Sequence, residues 1–199
     1  MGVMLDVVGG MIIGGTLLLM VMTFQLQLQE NAMRLYYTGS MISHMDDVAE
    51  TINHVFSMVG IGYGKEQVET KPDEIVCVVA NENTIKFRTY WDYEKDELSE
   101  EPHTVEIVLN EAEDGWGRVM NIIQDGEIIF PMGHILFIED MKLGYYDKDD
   151  AITTDRTDIM SAEVLLTFRR ESPWKPDQPL RSNLQLKCYF MNRYLQHGA

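Results

Sequence analysis

The sequence predicts an α+β protein: one long N-terminal helix, apolar in its first half and amphipathic in its second, packed on an antiparallel β-sheet domain. Three observations carry this. Residues Val7–Phe24 contain no charged side chain. The apolar pattern then thins to a single face that continues to about Val59. Beyond Gly60 the chain breaks into short alternating segments between turn residues, as consecutive antiparallel strands do.

The uncharged run is at the short end of the about 17–25 residues that cross a bilayer as a helix. Its glycines and threonines would weaken a helix in water, but glycine is well tolerated in membrane helices, where it permits close packing. Gly10 and Gly14 form a G-x-x-x-G step, the spacing that lets two helices approach. No Lys or Arg precedes Arg34 and no small-residue cleavage site follows the run, so removal as a secretory signal peptide is not expected. Asp6 stands immediately before the run. The flanks carry no basic cluster to fix orientation, and the acidic remainder favours an exported domain.

Below the run, Met41, Met45, Val48, Ile52, Val55 and Val59 recur in steps of four and three, an apolar seam on one helical face. Asp46, Asp47, Glu50, Asn53 and Ser57 occupy the other face. Gly39-Ser40 is expected to bend the helix, and Gly60, Gly62 and Gly64 to end it. The predicted organisation is residues 1–29 as the apolar half-helix, 30–60 as the amphipathic half-helix, and 61–199 as the β domain.

The domain reads as strands in order. Ile75–Ala80 is a short apolar run, and Asn81–Asn83 turns it into Thr84–Trp91, where Ile85, Phe87 and Trp91 share a face. The acidic stretch Asp92–Pro102 reads as a solvated loop. Thr104–Leu109 alternates again. Asp114-Gly115 and Asp125-Gly126 are hairpin signals. Ile135–Tyr146 is mixed, Ala162–Phe168 alternates, prolines at 173, 176 and 179 mark a loop, and Leu184, Leu186, Cys188 and Phe190 line a last strand. With one long helix available, its lower half is expected to cover one sheet face.

The net charge of −16 repels phosphate backbones and argues against nucleic-acid binding. No G-x-S-x-G, H-E-x-x-H, P-loop or dinucleotide fingerprint occurs, so no catalytic residue, enzyme activity or small-molecule substrate is expected. Glu50 and His54 lie four apart on a helix but supply too few ligands for a metal. The better ion candidate is the acidic stretch Asp147, Asp149 and Asp150, whose oxygens suit calcium although the EF-hand pattern fails. Apart from that, no cofactor is expected. Cys77 and Cys188 either pair, closing a loop that stabilises by roughly 4–5 kcal/mol on the chain-entropy model, or remain two buried thiols.

This layout resembles the type IV pilins and the minor pseudopilins of type II secretion systems, with residues 4–59 matching their long helix. Two stretches look similar to the larger minor pilins: NENTIKFRTYWDYEKDELSEEPHTVEIVLN at 81–110 and FIEDMKLGYYDKDDAITTDRTDIMSAEVLLTFRR at 137–170. The resemblance implies a non-enzymatic structural subunit, held in the inner membrane with an exported domain or carried in a cell-surface filament. Its partners would be the membrane and other pilin-like subunits. The family uses a Glu at its fifth mature position to pair with a neighbour's terminal amine; Asp6 takes that position if Met1 alone is lost, with Gly10 and Gly14 allowing close approach. The alternative is a single-pass, membrane-anchored adaptor that does not polymerise.

Overall fold

The computed structural model describes residues 2–62, 76–80, 83–111, 118–132, 137–172 and 178–197. Gly64, the Asp114-Gly115 turn, Trp116, His134, Pro173, Trp174 and Pro176 lie outside these. The chain divides into two compact units, Met1–Ser43 and His44–Ala199. A single helix, α1 (Gly2–Ser57), runs through the first and into the second. It passes Gly39-Ser40 without a break in its helical assignment.

In the second unit the lower part of α1 packs on an antiparallel sheet of eight strands: β1 (Cys77–Ala80), β2 (Thr84–Asp92), β3 (Glu97–Glu111), β4 (Arg118–Gln124), β5 (Glu127–Met132), β6 (Phe137–Tyr146), β7 (Ser161–Arg170) and β8 (Leu180–Tyr189). The strand order is β1-β2-β3-β4-β6-β7-β8, with β5 also on β4. Among the described residues β4 and β6 pair only at Arg118 and Ile138. A short helix, α2 (Met191–His197), follows β8.

The core forms where the helical period meets the strand period. Met45, Ile52, Val55 and Val59 of the expected seam are buried, together with Phe56, which lies beside the seam. Ile85, Phe87, Val105, Ile107, Met120, Ile122, Val164, Leu166 and Phe168 are buried at alternate strand positions. Phe56 lies 6.3 Å from the Phe87 ring and 5.6 Å from that of Phe190, spacings at which aromatic pairs add to their area burial.

The last helical carbonyls have no partner within a helix, and the domain supplies them. Tyr93 Oη donates to Val55 O at 2.7 Å, Thr89 Oγ1 to Met58 O at 2.7 Å, and Asn192 Nδ2 to Ser57 O at 2.9 Å. Gly60 and Gly62 then turn the chain away with φ of +73° and +83°. A Cβ on Gly62 would stand 2.6 Å from Tyr90 Cβ, so glycine is needed there for space as well as for φ.

Three expectations are corrected. The acidic stretch after Asp92 is a loop only to Asp96; Glu97 and Leu98 pair with Asp92 and Trp91, which extends β3 through Glu100, Glu101 and Pro102. Pro102 is tolerated because the β2–β3 register shifts between Thr89 and Trp91, and a bulge needs no ladder N–H there. The same shift takes Trp91 off the buried face and buries Tyr90 instead. The third is the short helix α2, which the alternating strand pattern did not announce. The Asp125-Gly126 hairpin forms with positive φ at both residues, +50° and +96°, as a two-residue turn of the primed type requires.

Candidate functional site

In the first unit the helix from Val7 to Leu28 presents its large apolar side chains to the outside: every one is at least 51% exposed. The helix is long and apolar enough to cross a membrane, and none of its most apolar window is buried within the protein. Its threonine hydroxyls turn inward on the backbone. Thr16 Oγ1 donates to Ile12 O at 3.0 Å and Ile13 O at 2.9 Å, and Thr23 Oγ1 donates to Leu19 O at 2.8 Å. Hydroxyls satisfied this way make the segment compatible with a medium that offers no hydrogen bonds.

Asp6 is exposed at the foot of this segment. Gly10 and Gly14 are exposed one and two turns above it, and a Cβ on either would meet nothing within 4 Å. Asp6, Gly10 and Gly14 follow at steps of four and so share a face. The structure thus brings the three together on one open stripe. Tyr36 and Tyr37, farther toward the C-terminal end of the helix, stand edge to face at 5.8 Å.

The second unit holds the other candidates. Asp147 Oδ1 accepts from the backbone N–H of Asp149 at 2.8 Å and of Ala151 at 2.9 Å. Lys187 Nζ donates to Asp150 Oδ1 at 2.9 Å and sits 4.3 Å from the Tyr146 ring centroid. Both carboxylates are thereby engaged by the turn and by a neighbouring cation. Among the described residues no group of three or more His, Cys, Asp or Glu side chains is placed to hold a metal ion.

Cys77 and Cys188 are two free, buried thiols in this structure rather than a disulfide. They belong to β1 and β8, the opposite ends of the strand order. Cys188 Sγ donates to Asn53 Oδ1 at 3.0 Å, and burial pushes both thiols up to about 11. They are therefore poor nucleophiles at neutral pH. Glu50 and His54 line an open groove of about 390 Å³ with Asp47, Thr51 and Phe130, and the His54 ring meets Tyr93 edge-on at 5.9 Å.

The polar cluster around Asp92, which is 4% exposed, carries almost no signature in the sequence. Its Oδ1 accepts from the N–H groups of Glu94 and Lys95 and from Gln124 Nε2, and its Oδ2 lies 3.0 Å from Lys95 Nζ. The Lys95 hydrogen bond, aided by that from Gln124, holds the Asp92 carboxyl well below the usual carboxylate range against the opposing effect of burial. Nearby, His103 Nδ1 lies 2.6 Å from Asp125 Oδ2. These groups tie the β2–β3 turn to the β4–β5 turn. Their only sequence signal was acidic residues at turn positions, which the solvated acids share.

No family model matches the chain, and no curated protein matches it. Among solved structures it is similar to a type IV-like pilin from Thermus thermophilus, at a TM-score of 0.50 and 8% identity, over 76% of this chain and 96% of that one. At that identity the likeness is one of fold: the chain has a type IV pilin-like fold, a long N-terminal helix packed on an antiparallel sheet.

Proposed function

We propose that this protein is a structural, non-catalytic subunit of a pilin-like assembly. The observation that carries the reading is the exposed apolar segment of α1, which is continuous with the helix that completes the β domain's core. An apolar helix of this length is stable in water only when covered. Lipid covers it before assembly, and the same segment of other subunits covers it afterwards. The pilin-like fold supports this reading. The protein would sit in an inner membrane with its acidic domain exported, or in a cell-surface filament, with other pilin-like subunits as partners.

Asp6 carries the specificity of the model. A carboxylate at the edge of an apolar bundle needs a cationic partner. Gly10 and Gly14, one and two turns higher, allow a neighbouring helix to come close. Asp6→Asn should abolish incorporation into the assembly while leaving membrane insertion and the folded domain intact, measured by fractionation and native separation of the full chain. Unchanged incorporation would sink the assembly role and favour the non-polymerising adaptor.

A further inference from the structure

We propose that the outer edge of β8 is a docking site for an extended segment of a different protein. The segment adds a strand to the sheet, with apolar side chains towards α1 and acidic or uncharged ones on the far face. This goes beyond the assembly reading and does not need the apolar segment to meet other copies.

The two ends of the strand order are guarded differently. β1 has four residues and a register shift between Cys77 and Val79, and its Val78 carbonyl accepts from Arg156 Nη1 at 2.6 Å. A short, irregular, capped edge does not recruit another strand. β8 has none of these devices: it has ten residues, no proline, and an unshifted register with β7 from Leu180 to Tyr189. Phe190 N–H donates to Met160 O at 2.8 Å. Ser161 and Tyr189 are therefore a non-hydrogen-bonded pair, and the even-numbered residues of β8 bond to β7. The backbone N–H and C=O groups of Arg181, Asn183, Gln185, Lys187 and Tyr189 point the other way. They take no partner among the described residues.

The faces of β8 define the added strand. Leu184 and Leu186 share the face on which Cys188 Sγ reaches Asn53 of α1, yet both are only half-buried. Apolar side chains at alternate positions of a further strand would cover them. β7 and β8 together carry Arg169, Arg170, Arg181 and Lys187 against one carboxylate, Glu163, in a chain of net charge −16. Like charges directly opposite are unfavourable, so the positions facing Arg181 and Lys187 take acidic or uncharged residues. A second copy fits poorly. Antiparallel pairing of β8 with β8 needs a two-fold axis normal to the sheet, which reverses the part of α1 lying on that sheet. Two copies inserted in one membrane run the same way, a step that rests on the membrane reading. The other end, β1, is guarded.

The test uses the full chain in detergent and a fluorescent synthetic peptide in which valine alternates with threonine. Two glutamates replace threonines six positions apart, the spacing of Arg181 and Lys187. Fluorescence anisotropy should show binding, and lysines in place of the glutamates should weaken it about tenfold. Gln185→Pro removes an outward N–H and no bond to β7. It should abolish binding while the circular dichroism of the domain stays that of the parent. Peptides N-methylated on alternate residues read the same edge in the unaltered chain: one frame should lose binding and the other keep it. No binding of the glutamate peptide, or equal binding of both methylated frames, would overturn the docking site. Equal binding of the glutamate and lysine peptides would overturn the stated chemistry. Self-association of the parent that Gln185→Pro removes would replace the separate protein with a second copy and overturn the proposal as stated.

Discussion

One helix keeps its side chains in opposite circumstances along its length. From Val7 to Leu28 every large apolar side chain is at least half exposed, whereas Ile52, Val55 and Phe56 are at most 1% exposed. The residue types are the same. What differs is whether this chain supplies the covering surface: the strands do so for the lower part and nothing among the described residues does so for the apolar segment. Apolar area contributes free energy only where it leaves water. The lower part therefore carries the domain's stability, and the apolar segment draws none from the other described residues of the chain.

Substitutions should separate the two parts. The largest effect is expected at Phe56, which is fully buried against Phe87 and Phe190. Phe56→Ala should cost about 3–5 kcal/mol, seen as a lower urea midpoint for the full chain in detergent. Leu18→Ala, at a position 62% exposed, should change the same midpoint by less than about 0.5 kcal/mol. Equal losses at both sites would break the comparison. Next is Gly62→Ala, which meets Tyr90 and a positive φ at once. It should destabilise by about 1–3 kcal/mol through the end of α1, with no effect on membrane partitioning.

A smaller effect is expected with pH. The Asp92 carboxyl titrates lower in the folded chain than at its ordinary value. The stability it brings is whole above about pH 4, near the unfolded value, and is lost as pH falls through the lower folded value. Asp92→Asn should thus be less stable than the parent at pH 6, and the gap should start to narrow below about pH 4 and keep narrowing as the pH is lowered further, read from urea melts across that range. A gap that does not change with pH below about 4 would assign Asp92 a packing role instead. The smallest effect is expected from calcium. Weak oxygen-rich sites bind at about 10⁻³ M, and 1 mM ion at such a site adds only about 0.4 kcal/mol. Calcium should leave the melting temperature within about 1–2 °C, and a larger rise lost in Asp147→Asn would establish Asp147–Asp150 as a site.

The sequence made the architecture legible because two periods are written into it. The fours and threes from Met45 to Val59 gave the packed helix face, and Val164, Leu166 and Phe168 gave a strand face. Phe56 escaped because it widens the seam instead of continuing it. The register shifts at Cys77/Val79, Thr89/Trp91 and Ile138/Asp140 escaped because a few extra residues in one strand leave composition unchanged while re-aiming the side chains that follow. Of the candidate residues, the placement of Asp6, Gly10 and Gly14 on one helical face was legible because it follows from the helix itself. The Asp92 cluster was not, because Gln124 and Lys95 reach it only after three strands have paired.

The clamp on the end of α1 also sets an order of events. Its contacts come from Thr89, 31 positions on from Met58, from Tyr93, 38 on from Val55, and from Asn192, 135 on from Ser57. Contacts so distant in sequence form late, and a chain is made from its N-terminus at about 5–20 residues per second. The apolar segment emerges before the strands that will hold the other end of α1 exist. The helix can form from its N-terminal end first and is fastened at its C-terminal end last, once Asn192 has been made.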